Sequence, residues 1–195
     1  MDLLAFEATK AHFDRGASRW KEALWGVAKI LFFLSPWPWP SRFKATLLRA
    51  FGARVGQGVV IRPRVNITFP WRFEIGDHSW IGEEVLILNL APVSIGTHCC
   101  LSQRAFLCTG SHDFHAAAFP LITAPIKILD RSWIAAGCFV APGITVGPDA
   151  MAAAGSVITR DVTQFTIVAG NPARVNRELR AELDGDPSLS QHESN

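Results

Sequence analysis

The chain has 195 residues and a formal net charge of +2, enough for one sizeable core and too little for two large domains. Almost half of it (49%) is hydrophobic, which excludes a disordered chain. Its four cysteines, Cys99, Cys100, Cys108 and Cys138, include no C-x-x-C pair, so reduced thiols are expected, not a disulfide framework or a zinc knuckle.

Charge is unevenly placed. Residues 1–54 carry nine Lys and Arg against four acids, or +5, which leaves −3 for the remainder. No nucleic-acid partner is expected. The N-terminus lacks the basic start, apolar run and cleavage site of a signal peptide, so the cytoplasm is the expected compartment.

The first element in chain order is an apolar helix within "WKEALWGVAKILFFL". Between Ala23 and Leu34 it carries a single charge, Lys29, and at about 1.5 Å per residue those twelve positions extend roughly 18 Å. That falls well short of the ~30 Å hydrocarbon layer. Four of the seven Trp lie between positions 20 and 39, with basic residues on both sides. Trp beside Lys and Arg suits a peripheral contact at the inner face of a membrane; a helix packed on its own protein or on a neighbouring subunit explains the same residues. "PWPWP" at Pro36 to Pro40 ends this helix. A second amphipathic helix, Arg42 to Phe51, is expected to close at Gly52.

From Val55 an aliphatic residue recurs every six positions: Val55, Ile61, Ile67; Ile75, Ile81, Ile87; Ile95, Leu101, Leu107; Ile128, Ile134, Val140; Val146, Ala152, Ile158. Neither a helix nor an ordinary strand sustains a period of six. Gly often follows the beat, and a small or β-branched residue stands four positions after it, as a short strand plus a tight corner requires. Hexapeptide repeats mark parallel β-helices. Three units per turn give about five 18-residue coils over residues 55–170. The rest divides into a basic, apolar segment 1–54 and a C-terminal helix with a polar tail, 171–195. The tail from Asp184, "DGDPSLSQHESN", is expected to be disordered.

The count is interrupted three times. Two residues are extra between Ile67 and Ile75 and between Ile87 and Ile95, and fifteen between Leu107 and Ile128. The longest interruption holds "CTGSHDFHAAAFP", in which Cys108 reads as the last wall residue before a loop. A long excursion from a regular repeat is more often functional than decorative.

"IGDHSWIGEEV", "LCTGSHD", "WIAAGCFVAPGITVG", "AAAGSVITRDV" and "VAGNPAR" resemble the hexapeptide-repeat O-acetyltransferases with a left-handed parallel β-helix, in particular those of the colanic acid biosynthesis type. The likeness spans about residues 50–180. It implies acetyl-CoA as cosubstrate, a sugar or polysaccharide precursor as acceptor, and a homotrimer with sites between subunits. It also implies that the loop histidine His112 is the general base, with His115 as runner-up. A histidine, with an ordinary pKa near 6.5, suits that task at neutral pH. By the same resemblance Asp113 orients the imidazole or binds an acceptor hydroxyl, and Asn89 aligns with an acceptor-binding asparagine. Ala136 and Ala154 match positions along the pantetheine arm. Thr159 and Arg160 match the pair at the nucleotide end, and Arg174 and Arg177 suit its phosphates.

Ala135 and Ala153 stand where the family often has Gly, and Ala152 where it has a large aliphatic. Two other readings stay open. One is a zinc-dependent hydratase on the same fold, with His78, His112 and His115 as ligands. The other is a non-catalytic platform. For His78 and His98, which fall within the repeat register, exposed corner positions are expected.

Overall fold

The computed structural model describes residues 13–178. Every beat of six is a strand of two or three residues, and the strands stack into three parallel sheets around a triangular core. Sheet A stacks Val55, Ile75, Ile95, Ile128 and Val146. Sheet B stacks Ile61, Ile81, Leu101, Ile134, Ala152 and Val168. Sheet C stacks Ile67, Ile87, Leu107, Val140 and Ile158. This is a left-handed parallel β-helix of five full coils. A sixth, partial coil adds Val162, bridged to Val146, and the strand Thr166–Gly170.

The corners explain the rest of the repeat. The Gly after the beat is required by close approach of successive coils: a Cβ on Gly76 would lie 2.7 Å from the carbonyl carbon of Gly96. The left-handed backbone comes two residues later and is mostly carried by other residue types, among them His78, His98 and Arg131 with φ of 54–58°. The small residue four after the beat turns inward and satisfies buried backbone groups. Ser79 Oγ donates to the Gly96 carbonyl (2.8 Å) and accepts from the Cys99 N–H (3.0 Å). Ser132 repeats the role two coils later, donating to the Gly147 carbonyl at 2.7 Å. All four cysteines are free thiols, and burial raises the pKa of Cys99 and Cys138.

The N-terminal segment closes the open end of the coil. Helix α1 (Arg19–Ala28) runs into a π-helical turn (Lys29–Phe33), the chain bends through the prolines, and α2 (Ser41–Ala50) follows. Gly52 ends α2 at φ +99°. The first coil has no coil beneath it, so its outward carbonyls would be unpaired edge groups. Side chains of the two helices take them up. Trp25 Nε1 donates to Ile67 O (3.0 Å), Lys44 Nζ to Arg62 O (3.0 Å), and Arg49 to Val55 O and Gly56 O (2.8 and 2.7 Å). Leaving such a group buried and unpaired costs about 1–3 kcal/mol.

At the other end, residues 171–178 differ from the expected helix. The chain turns after Gly170, and Ala173–Glu178 pairs antiparallel with Thr166–Gly170. Among the described residues no seventh coil covers that edge, and folding back gives it the hydrogen-bonding partner it would lack. The polar tail lies outside the described residues.

Candidate active site

The three interruptions of the count fall on one edge of the prism, where the chain passes from sheet C to sheet A. In the first coil the extra residues form a short 3-10 turn, Pro70–Arg72. In the second they hold Asn89. In the third the chain leaves as a two-stranded antiparallel arm, Gly110–His112 against Leu121–Thr123. Cys108 is buried at its root, as expected.

His112 occupies the last paired position of the outgoing strand, opposite Leu121. Its Nδ1 lies 2.9 Å from the carbonyl oxygen of Phe119, and its ring stacks on the Phe119 ring at 4.4 Å and 6°. A carbonyl oxygen only accepts, so in the neutral imidazole Nδ1 carries the hydrogen and Nε2 keeps the lone pair. The side chain is half-buried and oriented.

The other loop candidates are placed differently. Asp113 Oδ1 accepts from the backbone N–H of His115 at 2.9 Å and so caps the turn. His115 is exposed and rests against Phe114. Asn89 is fully buried, with Oδ1 accepting from Phe69 N (2.8 Å) and Nδ2 donating to Phe69 O (2.6 Å). Its amide is used to fix the turn one coil below.

Beneath the arm lies a shallow pocket lined by Phe13, Asp14, Arg72, Leu121 and Thr123. The Arg72 guanidinium is held there by the carbonyls of Leu90 and Asp14. Sequence reasoning missed Asp14 and Arg72. The available signal was that all three interruptions follow the third beat of a coil, which stacks them on one edge.

Ala136 and Ala154 lie on a different edge, between sheets B and C. In coils one to three this edge carries a charged ladder. Glu84 there accepts from Arg64 at 3.0 Å and from Arg104 at 2.7 Å, which holds its carboxyl below the usual range. In coils four and five the corresponding corners are Gly137 and Gly155, with φ +68° and +72°, and a Cβ on either would meet nothing within 4 Å. The ladder therefore gives way to a bare strip of backbone at the level where the arm departs. Ala136 and Ala154 are exposed along this strip, stacked through Gly155 N to Ala136 O at 2.8 Å. The methyl of Ala135 lies in the core and not on the strip.

Arg174, paired with Ala169 in the terminal hairpin, stands near the top of the same edge, and Arg177 follows opposite Ile167. Thr159 and Arg160 are exposed on the arm's edge, two coils beyond it. A single chain thus holds its candidates as two groups on the two edges that flank sheet C. His78 and His98 are on the third edge, exposed and stacked at 5.3 Å, away from the arm. Among the described residues no three His, Cys, Asp or Glu side chains come together as a metal-binding group.

No protein-family model matches the chain. It is 39% identical over 177 residues to WcaF of Escherichia coli (strain K12), a protein named for acetyl transfer in colanic acid biosynthesis, across 91% of this chain and 96% of that one. A crystal structure of a hexapeptide-repeat acetyltransferase from Vibrio cholerae, VCA0836 complexed with acetyl coenzyme A, superposes with a TM-score of 0.77 at 31% identity, covering 86% of this chain and 93% of that one. This chain belongs to the hexapeptide-repeat acetyltransferases of the colanic acid biosynthesis type. Nodulation protein L of Rhizobium meliloti (strain 1021) is a more distant relative, 33% identical over 151 residues, or 70% of this chain and 82% of that one. The arm and the bare strip described above are thus features of an acetyltransferase.

Proposed function

We propose that this acetyltransferase moves the acetyl group of acetyl-CoA to a hydroxyl of a sugar or polysaccharide precursor, with His112 as general base. The observation that carries the reading is the 2.9 Å contact of His112 Nδ1 with the Phe119 carbonyl, which directs the basic lone pair to Nε2. Nε2 takes the hydroxyl proton as the oxygen attacks the thioester carbonyl. A backbone N–H steadies the oxyanion. The C–S bond then breaks, and the imidazolium returns the proton to the departing CoA thiolate.

The pantetheine arm lies along the strip at Ala136 and Ala154, where missing side chains let it approach the backbone. Arg174 and Arg177 meet the phosphates, and Thr159 and Arg160 the nucleotide end. The pocket at Asp14 and Arg72 takes the acceptor, with Asp113 and His115 at its rim. Asn89 acts indirectly by holding Phe69. Because base and strip stand on different edges, His112 of one copy serves the strip of the next, and a homotrimer closes that arrangement. The outward residues of sheet C favour it: Leu86, Phe106, Phe139 and Val157 are apolar and only half-exposed. The enzyme works in the cytoplasm, at the inner face of the membrane, where acetyl-CoA is supplied.

His112→Ala should lower turnover by about 10²- to 10⁴-fold while calorimetry shows unchanged acetyl-CoA binding. Undiminished turnover would remove His112 from the mechanism. Wild-type protein that binds no acetyl-CoA would leave a non-catalytic platform as the better reading.

A further inference from the structure

Helix α1 and the π-helical turn after it are apolar on two opposite faces, and the β-helix accounts for only one. Trp25, Ala28 and Phe33 are buried against the first coil. On the other face Trp20, Leu24, Val27 and Leu31 follow the four-three-four spacing of a single helical stripe, at 81%, 63%, 59% and 53% exposure. Ile30 beside them and Trp37 beyond the turn are 62% and 66% exposed. Scattered apolar residues on a surface need no explanation, but a contiguous patch of this kind marks an interaction site.

We propose that this face docks the enzyme on an anionic lipid bilayer. Three observations choose lipid over protein. First, the patch begins and ends in Trp, the residue suited to the headgroup layer. Second, cations flank it: Arg19 and Arg42 are exposed, and neither has an ion pair among the described residues. They lie within the segment that carries +5 while the rest of the chain carries −3. Such cations are attracted to an anionic surface and would repel their own kind across a symmetric contact between two copies.

Third, the patch is at the end of the prism, outside the helices that cap the first coil. The sides, which a second copy would use to bring the base to the strip, are left clear. No helix among the described residues is long and apolar enough to cross a membrane, so the contact is one that lies on the bilayer. If the three-fold assembly proposed above holds, its parallel prisms present three patches on one side, and each binding event raises the effective concentration for the next.

The third-coil arm is two rungs above the first coil. At about 4.8 Å per rung and ~10 Å for the capping helix, this puts it about 20 Å from the lipid surface. The acceptor pocket, which reaches from Arg72 at the first coil up to Leu121 and Thr123 of the arm, is thus held over headgroups and what projects from them, clear of the acyl chains.

The test is co-sedimentation of the full-length protein with vesicles of phosphatidylcholine alone and of phosphatidylcholine mixed with phosphatidylglycerol, at low and high salt. A variant carrying Trp20→Ser, Leu24→Ser and Leu31→Ser is run beside it. The wild type should pellet with the mixed vesicles, more weakly with the neutral ones, and be released by salt. The variant should stay in the supernatant, with binding reduced roughly tenfold or more and thermal midpoint and acetyl-CoA binding unchanged. Wild type that ignores both vesicles overturns the proposal. So does a variant whose only change is a smaller oligomer in size-exclusion chromatography, because a second copy then covers the patch. Vesicle binding by His112→Ala keeps this result separate from the assignment of the base.

Discussion

The imidazole of His112 lies parallel to the ring of Phe119, 4.4 Å away, while its Nδ1 meets the carbonyl of that same residue at 2.9 Å. One residue thus fixes both the plane and the tautomer of the proposed base, and does so from φ +48°, a conformation uncommon outside glycine. Phe119→Leu keeps the backbone strain constant and removes only the ring. A stacking contact is worth about 0.5–1.5 kcal/mol, so kcat should fall several-fold with little change in KM for acetyl-CoA. Phe119→Tyr should restore it. Equal loss in both variants would show that the stack does not position the base.

Asn89 should behave as a structural residue. Asn89→Ala leaves the buried N–H of Phe69 without a partner and its carbonyl with only the Arg72 N–H, at a cost of about 1–3 kcal/mol. Thermal denaturation should register a clear fall in midpoint. An unchanged midpoint with a raised KM for the acceptor would instead return Asn89 to direct binding.

The bare strip offers a different test. A side chain at Gly155 would enter open space, so Gly155→Leu should fold, with about 1–2 kcal/mol of left-handed strain. Its KM for acetyl-CoA should rise strongly if pantetheine lies there. Calorimetric affinity equal to wild type would place the donor elsewhere.

Lys44 should make stability depend on pH. Its ammonium is buried beneath the first coil, and burial, with the Arg62 charge nearby, lowers its pKa from 10.5 to about 8. Between those values the unfolded chain binds the proton that the folded chain has released, so stability rises with pH across that window. Neutral lysine still has hydrogens for the carbonyls of Ile61 and Arg62. Denaturant melts from pH 8 to 10.5 should show the rise, and Lys44→Met should remove it.

The coil was legible because a period of six leaves few alternatives: each beat from Ile61 to Ile158 is buried in its expected sheet, including Ala152. The arm that carries His112 was legible because it stands where the period breaks. The N-terminal segment was half legible. Packing and membrane contact competed for the same apolar residues; the fold buries Trp25, Ala28 and Phe33 and leaves Trp20, Leu24, Val27 and Leu31 exposed on the opposite face. Residues 171–178 were misread because helix propensity carries no knowledge of an uncovered sheet edge. Asn89 shows the converse limit: a resemblance names a position, but burial and hydrogen bonds decide what the side chain does there.

By itself the sequence determined the β-helix, its coils and the place of the arm, since these follow from local periodicity and its interruptions. The tertiary structure alone decided which edge each residue occupies. It brought three distant interruptions together into one shelf, set Ala136 and Ala154 on another edge, and tied Nδ1 of His112 to Phe119. Those relationships depend on register between coils some twenty residues apart, and only folding makes such residues neighbours.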